Sequence, residues 1–305
     1  MRKTGGRIVT IGECMVELAP LDSPRGESHY RQGFAGDTFN MAWYLRRLLP
    51  TEWLVDYLTA LGDDPMSVGM RAFMADAGIG TDHIAIIPGQ APGLYVISLD
   101  RGERSFSYWR GQSAARCLAA DRARLDRAFY GARALAWSGI TLAILPEADR
   151  ATLLSALSAA QVRGSLVIFD PNLRPRLWPD KDSMCRWISR AAAGADIVLP
   201  SFEDESAAFG DPSPEATAAR YLQGGARQVV VKNGGSEIFW QGADGTGRYR
   251  PPPVADLVDT TAAGDSFNAA FLAALLGDAP LDAAIAAATA VSARVIGQRG
   301  ALVEI

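Results

Sequence analysis

Short runs of β-branched and apolar residues recur along the chain between longer alanine-rich stretches. Ile8 to Ile11, Val167 to Phe169, Ile197 to Leu199 and Val229 to Val231 show almost no polar alternation. Such runs suit strands buried on both faces. Between them, Arg150 to Val162 and Asp182 to Ala193 carry helical spacing and few breakers. This alternation predicts a mainly parallel sheet covered by helices. In the last third, Asp265 to Leu276 and Leu281 to Val295 read as two strongly apolar helices.

Two regions break the rhythm. Glu13 to Phe34 contains Pro20, Pro24, Gly26 and Gly33, and Leu94 to Arg110 alternates around a turn at Asp100-Arg101-Gly102. Leu94 to Leu99 and Arg104 to Trp109 look like the arms of a hairpin. The two regions are expected to pair into a small sheet beside the core, a lid formed from about 13–36 and 91–112 of one domain spanning 1–305. Gly242 to Gly247 reads as a turn or hairpin loop.

Composition narrows the field. The chain has 305 residues, 49% hydrophobic, with a net charge of −4 and no basic stripe, which argues against a nucleic-acid partner. The apolar run after Met1-Arg2-Lys3 is too short for a signal-peptide core, and no segment approaches the roughly 20 apolar residues of a spanning helix. Cys14, Cys117 and Cys185 are widely spaced and form no CxxC pair. A cytoplasmic, reducing setting without a membrane partner is the expectation.

The chemistry concentrates in Asp259-Thr260-Thr261-Ala262-Ala263-Gly264-Asp265-Ser266-Phe267. Small residues ending just before a helix let several backbone N–H groups face one anion, with a carboxylate beside them. Asp265, at the positive end of the helix dipole, is expected to stay ionised and to accept a proton from a substrate hydroxyl, while amides from Ala262, Ala263 and Gly264 stabilise a transferring phosphoryl group. Read in isolation, the same residues also suit a plain helix cap. A second cluster is Gly33-Phe34-Ala35-Gly36-Asp37-Thr38-Phe39-Asn40, where glycines permit close approach of the backbone to a ligand and Asp37 and Asn40 offer acceptors and donors. A third is Asp170-Pro171-Asn172-Leu173-Arg174, at the carboxyl end of a buried strand, where open α/β sheets bind ligands.

These three segments resemble the signatures of the ribokinase-like (PfkB) sugar kinases, with Ala262 in place of a glycine. The resemblance implies a three-layer α/β/α core with a β-sheet lid, a likeness that runs from Ile8 to Ala301. It implies ATP and Mg²⁺, with Asp265 as base and Gly33, Gly36, Asp37 and Asn40 at the sugar. It also places Asn172 at the phosphates, Arg174 at substrate or phosphate, and Asp170 at the metal. Lys232, Gly234 and Gly235 resemble the turn under ATP. Ser201 stands where the family has asparagine, and either Asp204 or Glu205 would serve Mg²⁺ through water. A monovalent cation such as K⁺ beside Asp259 and Thr261 is left open.

Gly93-Leu94-Tyr95, Tyr108-Trp109-Arg110 and Gly12-Glu13-Cys14-Met15 resemble the 2-keto-3-deoxygluconate kinases within that family. An arginine fork and tyrosine hydroxyls suit a sugar acid, which makes Tyr95, Tyr108 and Arg110 candidate substrate contacts. Without the resemblance, Tyr-Trp-Arg suits an apolar surface with a snorkelling charge. The resemblance implies a homodimer or higher homo-oligomer through the lid and a 6-phosphate product. Fructokinase and a non-catalytic sugar-binding regulator are the alternatives.

Overall fold

The computed structural model describes residues 5–21, 29–100, 103–243 and 245–305. The turn at 101–102, Pro24, Gly26 and Asp244 lie outside the described residues.

The main sheet has eight strands. In chain order they are β1 (Arg7–Ile11), β4 (Leu54–Leu58), β9 (Ala134–Ser138), β10 (Leu166–Asp170), β11 (Ile197–Val198), β12 (Gln228–Val231), β13 (Ile238–Gly242) and β14 (Gly245–Tyr249). Their order across the sheet is β14-β13-β12-β11-β10-β9-β1-β4. Pairing is parallel from β4 to β12, and β13 and β14 add an antiparallel hairpin at one edge. The loop expected at 242–247 is thus a shorter turn, with strand on both sides.

Alternation along β1 explains the layering. Ile8 packs into one hydrophobic cluster, while Val9 and Ile11 pack into another on the opposite face. The first cluster is covered by α1 (Asp37–Leu48), α2 (Pro65–Asp76), α9 (Ala263–Leu276) and α10 (Leu281–Ile296). The second lies beneath α3 (Arg122–Phe129), α4 (Gly139–Ile144), α5 (Glu147–Val162), α6 (Lys181–Ala193), α7 (Phe202–Phe209) and α8 (Pro214–Gln223). A parallel sheet with both faces covered needs apolar side chains on every strand position, which is what the uninterrupted runs supply. The architecture is α/β with three layers, as the strand and helix patterning implied.

A four-stranded sheet stands beside this core, in the order β3-β2-β7-β8. It joins β2 (Met15–Leu21), β3 (His29–Ala35), β7 (Leu94–Asp100) and β8 (Glu103–Trp109). The two hairpins meet through parallel pairing of β2 with β7, with Glu17 opposite Tyr95. A short β5 (Ala60–Leu61) and β6 (Ala85–Ile86) pair separately. No helix among the described residues is long and apolar enough to cross a membrane.

Candidate active site

The carboxyl ends of β1, β9, β10, β11 and β12 open toward the N-termini of α1 and α9. At the start of α9 the chain turns through Ala262, which adopts the left-handed conformation at φ 59 and ψ 15. A glycine would take that conformation without steric cost; an alanine takes it only because its surroundings hold it there. Asp259 does much of the holding. One carboxylate oxygen accepts from the Thr261 amide at 3.1 Å and the Thr261 hydroxyl at 2.7 Å, and the other accepts from the Gly300 amide at 2.8 Å. The Ala263 carbonyl is fixed by the hydroxyls of Ser266 and Ser292, each at 3.0 Å. In this first turn the Ala263 amide donates to the Thr260 carbonyl at 3.2 Å, while the Gly264 and Asp265 amides have no intrahelical acceptor.

Asp265 sits in that turn, and its Oδ2 accepts from the Asn40 side-chain amide at 2.7 Å. Asn40 is itself set by α1, where its Oδ1 accepts from the Gly36 amide at 3.3 Å. Burial, followed by the like charges of Asp37 and Asp170, pushes the Asp265 carboxyl up to about 7, against the pull of Asn40 and Lys232. The expectation that the helix dipole keeps Asp265 fully ionised is therefore corrected. Desolvation and two neighbouring carboxylates outweigh a helix end.

A chain of hydrogen bonds links the other predicted residues. Asp37 Oδ2 accepts from Ser138 Oγ at 2.5 Å and from Asn172 Nδ2 at 2.9 Å. Asn172 holds a left-handed backbone at φ 36, and its amide donates to Asp170 Oδ1 at 3.0 Å. Asp170 Oδ2 accepts from Lys232 Nζ at 2.8 Å and from Asn268 Nδ2 at 2.6 Å. Lys232 also reaches Asn268 Oδ1 at 3.2 Å, and its ammonium lies next to Gly264. Asp37, Asn40, Asp170, Asn172, Lys232 and Asp265 thus share one floor. Ser138 and Asn268 belong to it too; both fall within or beside motifs of the sequence, which assigned them no role. Asn268 stands three residues after Asp265 on the same helix, and an amide in an otherwise apolar, alanine-rich helix was the available signal.

Asp204 and Glu205 are sorted by α7. Asp204 faces the cleft, 3.8 Å from Arg174, and burial raises its carboxyl, with Arg174 lowering it and Asp170 raising it further. Glu205 points the other way. It is fully buried and accepts from Arg220 at 2.7 Å and from the Tyr221 hydroxyl at 2.9 Å, with burial pushing it up to about 7. A carboxylate locked under α8 is not available to a metal, so Glu205 is withdrawn from the metal set. Among the described residues no group of three acidic, histidine or cysteine side chains is arranged to hold an ion alone. Asp170 and Asp204 fit a hard cation that keeps its water and leans on phosphate oxygens. Ser201 begins α7 without a side-chain capping bond, and Gly234 and Gly235 have open space around them.

On the small sheet, Gly33 pairs with Glu17, whose Oε1 would lie 3.5 Å from a Cβ placed there. Tyr95 is buried and its hydroxyl donates to Glu17, which keeps that phenol occupied. Tyr108 stands opposite Tyr95 with ring centroids 5.8 Å apart and is exposed. Arg110 forms a buried ion pair with Glu13. The floor and the sheet are thus both furnished with polar groups.

The chain is 37% identical over 308 residues to the 2-dehydro-3-deoxygluconokinase of Dickeya dadantii, covering 98% of this chain and 97% of that one. It is 35% identical over 304 residues to the enzyme of the same name from Haemophilus influenzae, covering 98% and 96%. The solved structure of fructokinase with bound ATP from Xylella fastidiosa shares the fold with a TM-score of 0.83 at 24% identity, covering 97% of this chain and 94% of that one. The pfkB family carbohydrate kinase model matches residues 6–304. With that match along nearly its whole length, this chain belongs to the pfkB family of carbohydrate kinases.

Proposed function

We propose that the protein phosphorylates 2-keto-3-deoxygluconate from ATP, giving the 6-phosphate. The observation that carries this reading is Asp265, held by Asn40 in the first turn of α9, with Tyr108 on the small sheet and Arg110 just beyond its last strand. The relatives that share more than a third of its residues bear the name of that activity.

In this reading the sugar acid lies between the floor and the small sheet, which acts as a lid. Gly33, Gly36, Asp37 and Asn40 seat its hydroxyls, Tyr108 and Arg110 meet its acidic end with Tyr95 buttressing Tyr108, and Arg174, beside Asp204, meets the substrate or the transferring phosphate. The hydroxyl to be phosphorylated points at Asp265, which takes its proton as the oxygen attacks. The amides of the Ala262–Asp265 turn stabilise charge on the moving phosphoryl group, and Lys232, beside Gly264, adds a cation at the same place. Asn172, Ser201, Gly234 and Gly235 line the nucleotide side. Bound Mg²⁺ would neutralise phosphate charge, with Asp170 and Asp204 as the residues placed to hold its water shell. A monovalent cation beside Asp259 and Thr261, and work in the cytoplasm, belong to the same reading.

Arg110 commits one nitrogen to Glu13, which keeps a neutral-sugar kinase of the fructokinase type as a second reading. A panel measuring ADP release with 2-keto-3-deoxygluconate, fructose and ribose separates them. A kcat/KM for the sugar acid at least about 100-fold above the others supports the assignment, since a site built to pair a charged group rejects analogues lacking it. Equal or better turnover of fructose refutes it. EDTA should abolish the activity and Mg²⁺ restore it.

A further inference from the structure

Glu13 plays no part in the transfer described above, yet its side chain is wholly buried and paired with Arg110, which is itself only 10% exposed. The backbone passes between the core and the small sheet at four places. These are residues 12–14 between β1 and β2, Gly36 between β3 and α1, residues 87–93 before β7, and Arg110 after β8. Glu13 meets all of them. A Cβ on Gly36 would stand 2.1 Å from the Glu13 carbonyl oxygen, so that backbone lies directly on it. A Cβ on Gly93 would stand 2.7 Å from Glu13 Oε1 and 3.2 Å from Arg110 Cβ, so that glycine leaves the space the ion pair fills. The Gly93 carbonyl accepts from the Val16 amide at 2.8 Å, fastening the first and third crossings together.

A buried ion pair is a poor way to stabilise a fold, because desolvation offsets most of its attraction. Its stronger effect is on geometry. Arginine on its long stem has many rotamers, and an anchored terminal nitrogen removes most of them. Arg110 Nε remains buried without a partner among the described residues, so the guanidinium is held but not used up.

We propose that Glu13 is a positioning residue, which grips one edge of Arg110 at the junction of the four crossings and so aims the rest of the guanidinium at the sugar. The proposal rests on the reading that Arg110 meets the substrate. It concerns a residue that touches neither sugar nor nucleotide.

The test is a double-mutant cycle of Glu13→Ala and Arg110→Ala, with kcat and KM measured for sugar and for ATP. Glu13→Ala should raise KM for the sugar acid at least about tenfold while KM for ATP moves less than about twofold. On the Arg110→Ala background the same change should cost less than about threefold, because there is no arginine left to aim. Glu13→Gln keeps the size and one acceptor oxygen, and should fall between wild type and Glu13→Ala. It replaces Glu13→Ala in the cycle if that variant fails to fold. Losses that multiply independently overturn the proposal, as does an equal rise in KM for ATP. If the wild type turns over a neutral sugar and not the sugar acid, the substrate reading fails by itself. The cycle on the accepted sugar then still decides whether Glu13 acts through Arg110.

Discussion

Ala262 and Asp265 lie three residues apart and carry opposite kinds of cost. At Ala262 the cost is steric, a Cβ held at φ 59. Ala262→Gly should stabilise the fold by about 1 kcal/mol and raise Tm by roughly 2 °C, read by thermal unfolding. At Asp265 the cost is electrostatic. The base role proposed for it requires the deprotonated carboxylate, so kcat/KM should rise with pH and level off above about 7. Its carboxyl holds a proton more tightly folded than unfolded, where about 3.9 is usual. Its contribution to stability is thus whole below about pH 4 and is lost as pH climbs through about 7. Asp265→Asn removes a charge that the fold resists. That variant should lose at least about 100-fold in kcat and yet melt above wild type at pH 8, with the gap closing toward pH 4. A variant that melts below wild type at pH 8 would contradict the raised carboxyl.

Among the elements, α7 gives the sharpest contrast, because adjacent acids leave it in opposite directions. Asp204→Asn should increase the Mg²⁺ concentration needed for half-maximal rate, whereas Glu205→Gln should leave that titration unchanged. Arg220→Met, which strands two buried carboxylates, should cost about 3 kcal/mol or more of unfolding free energy in a urea titration. None of this sorting is legible from Phe202-Glu203-Asp204-Glu205, since both acids suit a helix start and only the packing of α8 separates them. Strands β1, β10, β11 and β12 are legible because continuous apolar residues on two buried faces leave little else for them to be. Strand β9 is not, because Ala134-Leu135-Ala136-Trp137-Ser138 carries the small residues of a crowded sheet centre, and alanine reads as helix. The floor of the site was visible as three motifs. The bonds from Ser138 and Asn268, and the ion pair that joins residues 97 apart, were not, since no spacing along a chain encodes a meeting across it.

Viewed as a whole, the protein keeps its apolar surface mostly covered, but the small sheet exposes Tyr30, Phe106, Tyr108 and Trp109. Along β8 Phe106 and Tyr108 share one face and Trp109 takes the other, so Trp109 is the aromatic best placed for association away from the face that carries Tyr108. If two copies meet there, Trp109, which is 61% exposed, carries the contact, and Trp109→Lys should shift the mass seen by sedimentation from dimer to monomer while leaving Tm nearly unchanged. A wild-type chain that sediments as a monomer would remove that role. The way the small sheet is stitched has another outcome, one that concerns inheritance and engineering. Its strands come from two segments, whose backbones are paired among the described residues by the short parallel register of β2 with β7. Parallel neighbours need not be close in sequence, so neither segment is a self-contained module. A chimera that borrows one hairpin from a relative would inherit half a seam and a mismatched face above the sugar. Substrate preference should therefore transplant only when both segments travel together, and drift at one should be answered by change at the other.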